Sequence, residues 1–139
     1  MTYETLVEKR NAIFDNFTTM KQRDIDLDNL YRQAHQELAV GDGVTIHYYS
    51  DSEAYTVIKR TPSSITIQRD KARLNPKFEP KFEVGGFAGH CVNQDEQTYT
   101  YEQDANGNKL TLRLCKNGRF MYLGKCISIG RHEYYDYNF

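Results

Sequence analysis

The sequence predicts an α+β fold: an N-terminal helical segment of one or two helices over residues 1–40, then a small antiparallel β-sheet or barrel-like domain over residues 41–139. Three observations lead there. Apolar residues recur at helical spacing through the first forty residues and at strand spacing from Val44 onward. The change falls at Gly41-Asp42-Gly43, a helix stop. Beyond it, short runs rich in Val, Ile, Thr, Tyr and Leu alternate with turn signals. A chain of 139 residues suits a single domain with a modest core.

Thr2 is a candidate N-cap, and Glu4 in the first turn suits the helix dipole. Tyr3, Leu6, Arg10, Ile13, Phe17 and Met20 then follow at spacings of 3, 4, 3, 4 and 3, a heptad-like seam broken by one arginine. The seam predicts a helix laid against a partner helix, in this chain or another. The polar run Gln22–Asp26 predicts a turn. Asp26 would cap a second helix, with Leu27, Leu30, Tyr31, Ala34 and Leu38 on one face.

Strands are expected at Val44–Tyr49, Ala54–Arg60 and Ile65–Arg69, separated by Ser50–Glu53 and Thr61–Ser64. Residues 70–97 read as a long irregular section holding two of the three prolines and a doubled Pro-Lys-Phe-Glu unit. Loops of that length are commonly functional. Thr98–Glu102 reads as a strand with alternating tyrosines. The next pair, Lys109–Leu114 and Arg119–Tyr122, is bounded by Asn106-Gly107 and Asn117-Gly118. Leu110, Leu112 and Leu114 share one face, and Lys109, Thr111 and Arg113 the other. Cys126–Arg131 is expected as a last strand. Tyr134–Phe139 is so aromatic that it should be tied down, on this domain or on a neighbouring subunit.

A formal charge of −1 argues against a protein that grips a nucleic-acid polymer. No stretch approaches a membrane span, and no apolar run follows Met1, so neither a membrane nor a signal peptide is expected. Three cysteines, an odd number without a CxxC pair, predict reduced thiols in a cytoplasmic setting and no zinc site. No cofactor is implied. Catalytic motifs are missing: there is no nucleophile elbow, no His-Glu-x-x-His and no Walker loop. His90-Cys91 is no dyad, because neighbours on a strand point to opposite faces. The expectation is a binding protein and not an enzyme.

Binding chemistry is concentrated in Gly85-Gly86-Phe87-Ala88-Gly89-His90-Cys91-Val92-Asn93-Gln94-Asp95. Its glycines permit close approach of a ligand. His90, Asn93, Gln94 and Asp95 supply donors and acceptors. Phe78, Phe82 and Phe87 offer stacking faces, and Arg113, Arg119 and Arg131 offer guanidinium forks for phosphate. Together these residue types suit one small nucleotide. A solvated sheet face and ordinary core packing account for the same residues, so a protein-binding module and a nucleotide-converting enzyme stay open.

Five segments carry a further resemblance: Gly41–Ile46, Tyr55–Ile58, Gly85–Gln94, Leu112–Arg119 and Ser128–Phe139. In combination they resemble the first-described type of Thoeris anti-defence protein, a family of small phage proteins, over about residues 41–139. The resemblance implies a sponge. Such proteins bind a cyclic ADP-ribose isomer made by a TIR-domain enzyme in the bacterial host cytoplasm and hold it uncleaved. It further implies homo-oligomers, dimers within hexamers, with nucleotide sites near subunit interfaces. In some members a separate site holds cyclic oligonucleotides, that is, cyclic di- or trinucleotides. On that basis Phe82 or Phe87 would stack on the adenine. Asn93 and Asp95 would meet ribose hydroxyls or the base edge, Arg113 and Arg131 the pyrophosphate, and His90 and Gln94 would assist. The helical segment would serve oligomerisation.

Overall fold

The computed structural model describes residues 1–85 and 88–138. Two helices precede a mostly antiparallel sheet, as the hydrophobic periodicity predicts. The first, α1 (Tyr3–Asn16), starts at Thr2, whose hydroxyl accepts from the Thr5 N–H. The second, α2 (Met20–Gln36), starts at Thr19, whose hydroxyl accepts from the Gln22 N–H. This corrects the expected turn at Gln22–Asp26. The break falls at residues 17–19, and Asp26 is no cap but lies inside α2, accepting from Gln22 Nε2 at 2.8 Å. An exposed polar stretch remains helical when its side chains bond one turn apart. Among the described residues no helix is long and apolar enough to cross a membrane.

The strands are β1 (Gly43–His47), β2 (Ser52–Thr61), β3 (Ser64–Arg69), β4 (Lys71–Leu74), β5 (Phe82–Gly85) and β6 (Ala88–Cys91), followed by β7 (Tyr99–Glu102), β8 (Lys109–Arg113), β9 (Met121–Tyr122), β10 (Lys125–Cys126) and β11 (Ser128–Ile129). Five of them form one antiparallel sheet in the order β11-β1-β2-β3-β8, so β11 and β8 are its edges among the described residues. The pairs β4–β7, β5–β6 and β9–β10 are separate ribbons. The section 70–97 is thus less irregular than its prolines suggest, since it contains β4, a hairpin and a 3₁₀ turn at Gln94–Glu96. The expected strand Cys126–Arg131 is divided between β10 and β11.

One face of the sheet carries the apolar core. Val44, Ile46, Val57, Ile65, Ile67 and Leu112 meet Leu30, Ala34 and Leu38 of the α2 region, with Phe120 fully buried among them. From α1, Leu6 joins this core, whereas Tyr3, Phe17 and Met20 of the predicted seam are exposed.

The opposite face is a buried polar layer sealed by the C-terminal segment. Thr45 donates to the Gly130 carbonyl and accepts from the His132 N–H. Thr56 donates to Asp70, whose carboxylate also holds Arg131 Nε at 2.9 Å. Arg69 meets Glu133 through two nitrogens. Gly43 has no room for a side chain here, because a Cβ would sit 2.5 Å from Arg131 Cγ. Asn138 brackets Cys91, accepting from its N–H and donating to its carbonyl. The aromatic terminus is therefore tied to its own domain.

Candidate functional site: a cationic cavity beside the edge strand

The polar residues expected to read a ligand serve mainly to hold the chain together. Asn93 accepts from the Lys81 N–H and donates to the Glu79 carbonyl, pinning the loop. Gln94 accepts from the Tyr137 N–H, and Asp95 from the Tyr134 hydroxyl. Phe82 is exposed on β5 opposite Cys91, and His90 is exposed on β6 opposite Glu83. Phe87 lies outside the described residues.

The two arginines expected on one pyrophosphate are kept apart. Arg113 is exposed on edge strand β8, and Arg131 follows β11 at the other edge, four strand spacings away. That is about 19 Å, far beyond the span of one pyrophosphate. Arg131 is also held by Asp70 and Thr56.

A different constellation gathers where α1 and α2 pass the edge strand β11. Here a cavity of about 350 Å³ opens. Helix α1 contributes Tyr3, Leu6, Val7 and Arg10, and α2 contributes Tyr31 and His35. His47 of β1, Arg119, Ser128 and His132 complete the polar wall, with Cys126 beside them. Among the described residues no carboxylate lines it. Two guanidiniums and three imidazoles therefore line one space, with Asp28 pairing Arg119 from outside it.

The Arg119 guanidinium carbon sits over Tyr31, 5.5 Å from the ring centre, and its Nη2 donates to Asp28 at 2.8 Å. Asp28 is shared, since Arg32 holds its other oxygen at 2.9 Å. Among the described residues two buried side-chain polar atoms lack a hydrogen-bond partner: Arg119 Nε and His132 Nε2. Both residues line this cavity. An unsatisfied buried donor or acceptor costs about 1–3 kcal/mol. Both atoms are sealed from the open space, so they are polar groups without a partner inside the wall and not on its surface.

The wall is shaped by Gly130 at φ +91°, where a Cβ would meet His132 Nε2 at 2.8 Å and Tyr3 at 3.2 Å. Glycine alone takes this conformation without strain and leaves Tyr3 and His132 in edge contact, ring centres 4.4 Å apart. Tyr3 and His132 also line a second cavity of about 340 Å³, whose wall holds Arg131 together with the carboxylate residues Glu4 and Asp42. The two spaces share this aromatic pair in their walls.

The imidazoles differ in kind. His35 Nδ1 accepts from the Phe120 N–H at 2.9 Å, and burial, with the Arg119 charge adding to it, lowers its pKa from 6.5 to about 4. It stays neutral near pH 7 and is part of the frame. The unfolded chain binds this proton below about pH 6.5 while the folded one refuses it until about pH 4. Stability from this group is therefore intact above pH 6.5 and falls through that window, by about 3 kcal/mol in all. Urea denaturation at pH 7 and pH 4.5 checks this. His35→Gln, which keeps an acceptor but no titrating ring, flattens its share of the slope.

His47 is held at both nitrogens, by Ser52 at 2.9 Å and by Ser128. Burial, then the nearby His132 and Lys125, lower its pKa.

Of the residues expected from sequence, Arg119 and Arg131 reach these lobes. The signal for the rest was Arg10, the arginine that breaks the α1 seam. Its break in the pattern turns a cation into the cavity. His35 interrupts the α2 face in the same way. No family model matches the chain, and comparison with curated proteins and with solved structures returns no match.

Proposed function

We propose that the chain is a phage anti-defence sponge. It captures a cyclic ADP-ribose isomer made by a TIR-domain enzyme, holds it uncleaved in the host cytoplasm and so silences Thoeris immunity. The observation that carries the reading is the carboxylate-free cavity into which Arg10 and Arg119 turn, with the unsatisfied Nε of Arg119 and Nε2 of His132 in its wall. Such a wall suits an anion with a flat ring. The pyrophosphate lies between Arg10 and Arg119, the adenine lies against Tyr3 or Tyr31, and ribose hydroxyls meet the imidazoles and Ser128. The lobe beside Arg131 accepts the far end of the ligand. Its volume falls in the range of small-molecule sites, about 300–1,000 Å³. A formal charge of −1 suits a small nucleotide better than a polymer. The sequence resemblance supplies the identity of the nucleotide, the self-association as dimers within hexamers and the second capacity for cyclic di- or trinucleotides.

The test is to incubate purified protein with a mixture of cyclic ADP-ribose isomers, wash, denature by heat and identify what is released by mass spectrometry. Release of an intact isomer, stoichiometric with subunits, is expected. Release of an altered nucleotide would make the protein an enzyme, and release of nothing would remove the nucleotide reading.

A further inference from the structure

His47 is placed to change its charge without losing a bond. His47 on β1 lies opposite Ser52 on β2, and Ser128 on β11 lies opposite Thr45, two residues away on the same face. A hydroxyl can donate or accept. Neutral His47 accepts at one ring nitrogen and donates at the other. Protonated His47 donates at both, and each serine simply turns to accept. His35 has no such freedom, because its partner is a backbone N–H that can only donate.

Burial, and then the charges of His132, after β11, and Lys125 of β10, hold the proton off His47 in the free protein. The same cavity is lined by Arg10 from α1 and by Arg119. Tyr3 of α1, Tyr31 and His35 of α2, and Cys126 face it uncharged. On the neighbouring strand β2, Glu53 is taken by Arg69 at 3.1 Å. An anion between the two guanidiniums reverses this field.

We infer that His47 is the proton acceptor of this cavity, so that an anionic ligand enters together with one proton drawn from bulk solvent. This deepens the anion-site reading above and rests on it. The site then discriminates by charge as well as shape. An anionic pyrophosphate gains the His47 cation, whereas a neutral nucleoside does not.

Sulfate is a suitable probe, being a dianion with no titrating proton near neutrality. The imidazole resonances of the full chain are followed by NMR across the neutral pH range, with and without sulfate. The expected result is that the titration midpoint of His47 moves up when sulfate is present, while His35 does not move. Sulfate affinity falls by up to about tenfold per pH unit as His47 loses its proton. In His47→Gln, whose amide keeps partners for both serines, that pH dependence is flat. If sulfate shifts the Arg10 and Arg119 side-chain resonances but leaves the His47 midpoint in place, the proton coupling is wrong and the anion site stands. If sulfate moves no cavity resonance, the anion site itself falls and the inference with it.

Discussion

Replacing Arg10 and Arg119 together with glutamine abolishes ligand capture, weakening it by roughly 100-fold or more. Charge-assisted hydrogen bonds in a desolvated site contribute about 1.5–3 kcal/mol each, and these two side chains are the cations of the principal lobe. The fold survives the change. Arg10 has no carboxylate partner among the described residues, and Asp28 keeps Arg32 when Arg119 is lost. With Asp28 about 41% exposed, that ion pair contributes about 1 kcal/mol or less. Each single variant loses part of the affinity, Arg119→Gln more than Arg10→Gln, because Arg119 is fixed against Tyr31 and needs no ordering on binding. Arg113→Gln, on the far edge strand, leaves capture unchanged. Calorimetric titration of the four variants and the unchanged protein with the cyclic nucleotide checks the series. An equal loss in Arg113→Gln would show long-range electrostatics and no site.

Phe120→Ala has the largest effect on stability, about 3–5 kcal/mol. Phe120 is fully buried, stacked on His35 at 6.1 Å between ring centres and covered by the Arg60 guanidinium. It packs on His35, a residue of the cavity wall, and its N–H is the donor that fixes the His35 ring. A domain of this size has about 5–15 kcal/mol in total, so the variant is marginal at physiological temperature. Phe120→Leu, which leaves a smaller void, costs about 1–2 kcal/mol and still captures ligand. The urea midpoints of the three proteins give the comparison. Parity between alanine and leucine would mean that the ring is not the packing centre.

Much of the fold was legible in the sequence because local chemistry decides it. Thr2, the Asn-Gly pairs at residues 106–107 and 117–118, and the alternating leucines of β8 each act within a few residues. The α2 start was misplaced because two signals competed. Asp26 and Thr19 are both sound caps, and the Gln22–Asp26 bond decided between them. The section 70–97 hid its strands because β4 pairs with β7 across more than twenty residues, which no local pattern reports.

The site was legible in parts. Asn93, Gln94 and Asp95 have the composition of a ligand reader, but the groups they bind belong to residues 79–81 and 134–137. Composition cannot tell an internal partner from a foreign one. The cavity draws its wall from α1, α2, β1 and residues 119–132, so its parts meet only in the folded chain. Arg10 and His35 were visible as interruptions of apolar faces. Reading such interruptions as sites, and not as flaws in the pattern, would have found two of the five basic residues of the wall.

The most direct measurement of where the ligand sits uses the chain's own thiols. Cys126 lines the cavity, Cys115 is exposed elsewhere and Cys91 is buried. Alkylation by a small reagent is timed with and without the cyclic ADP-ribose isomer and read by peptide mass spectrometry. The expected result is that ligand slows alkylation of Cys126 several-fold and leaves Cys115 unchanged. Tight capture with Cys126 reacting at its free rate would contradict the account and put the ligand on another surface.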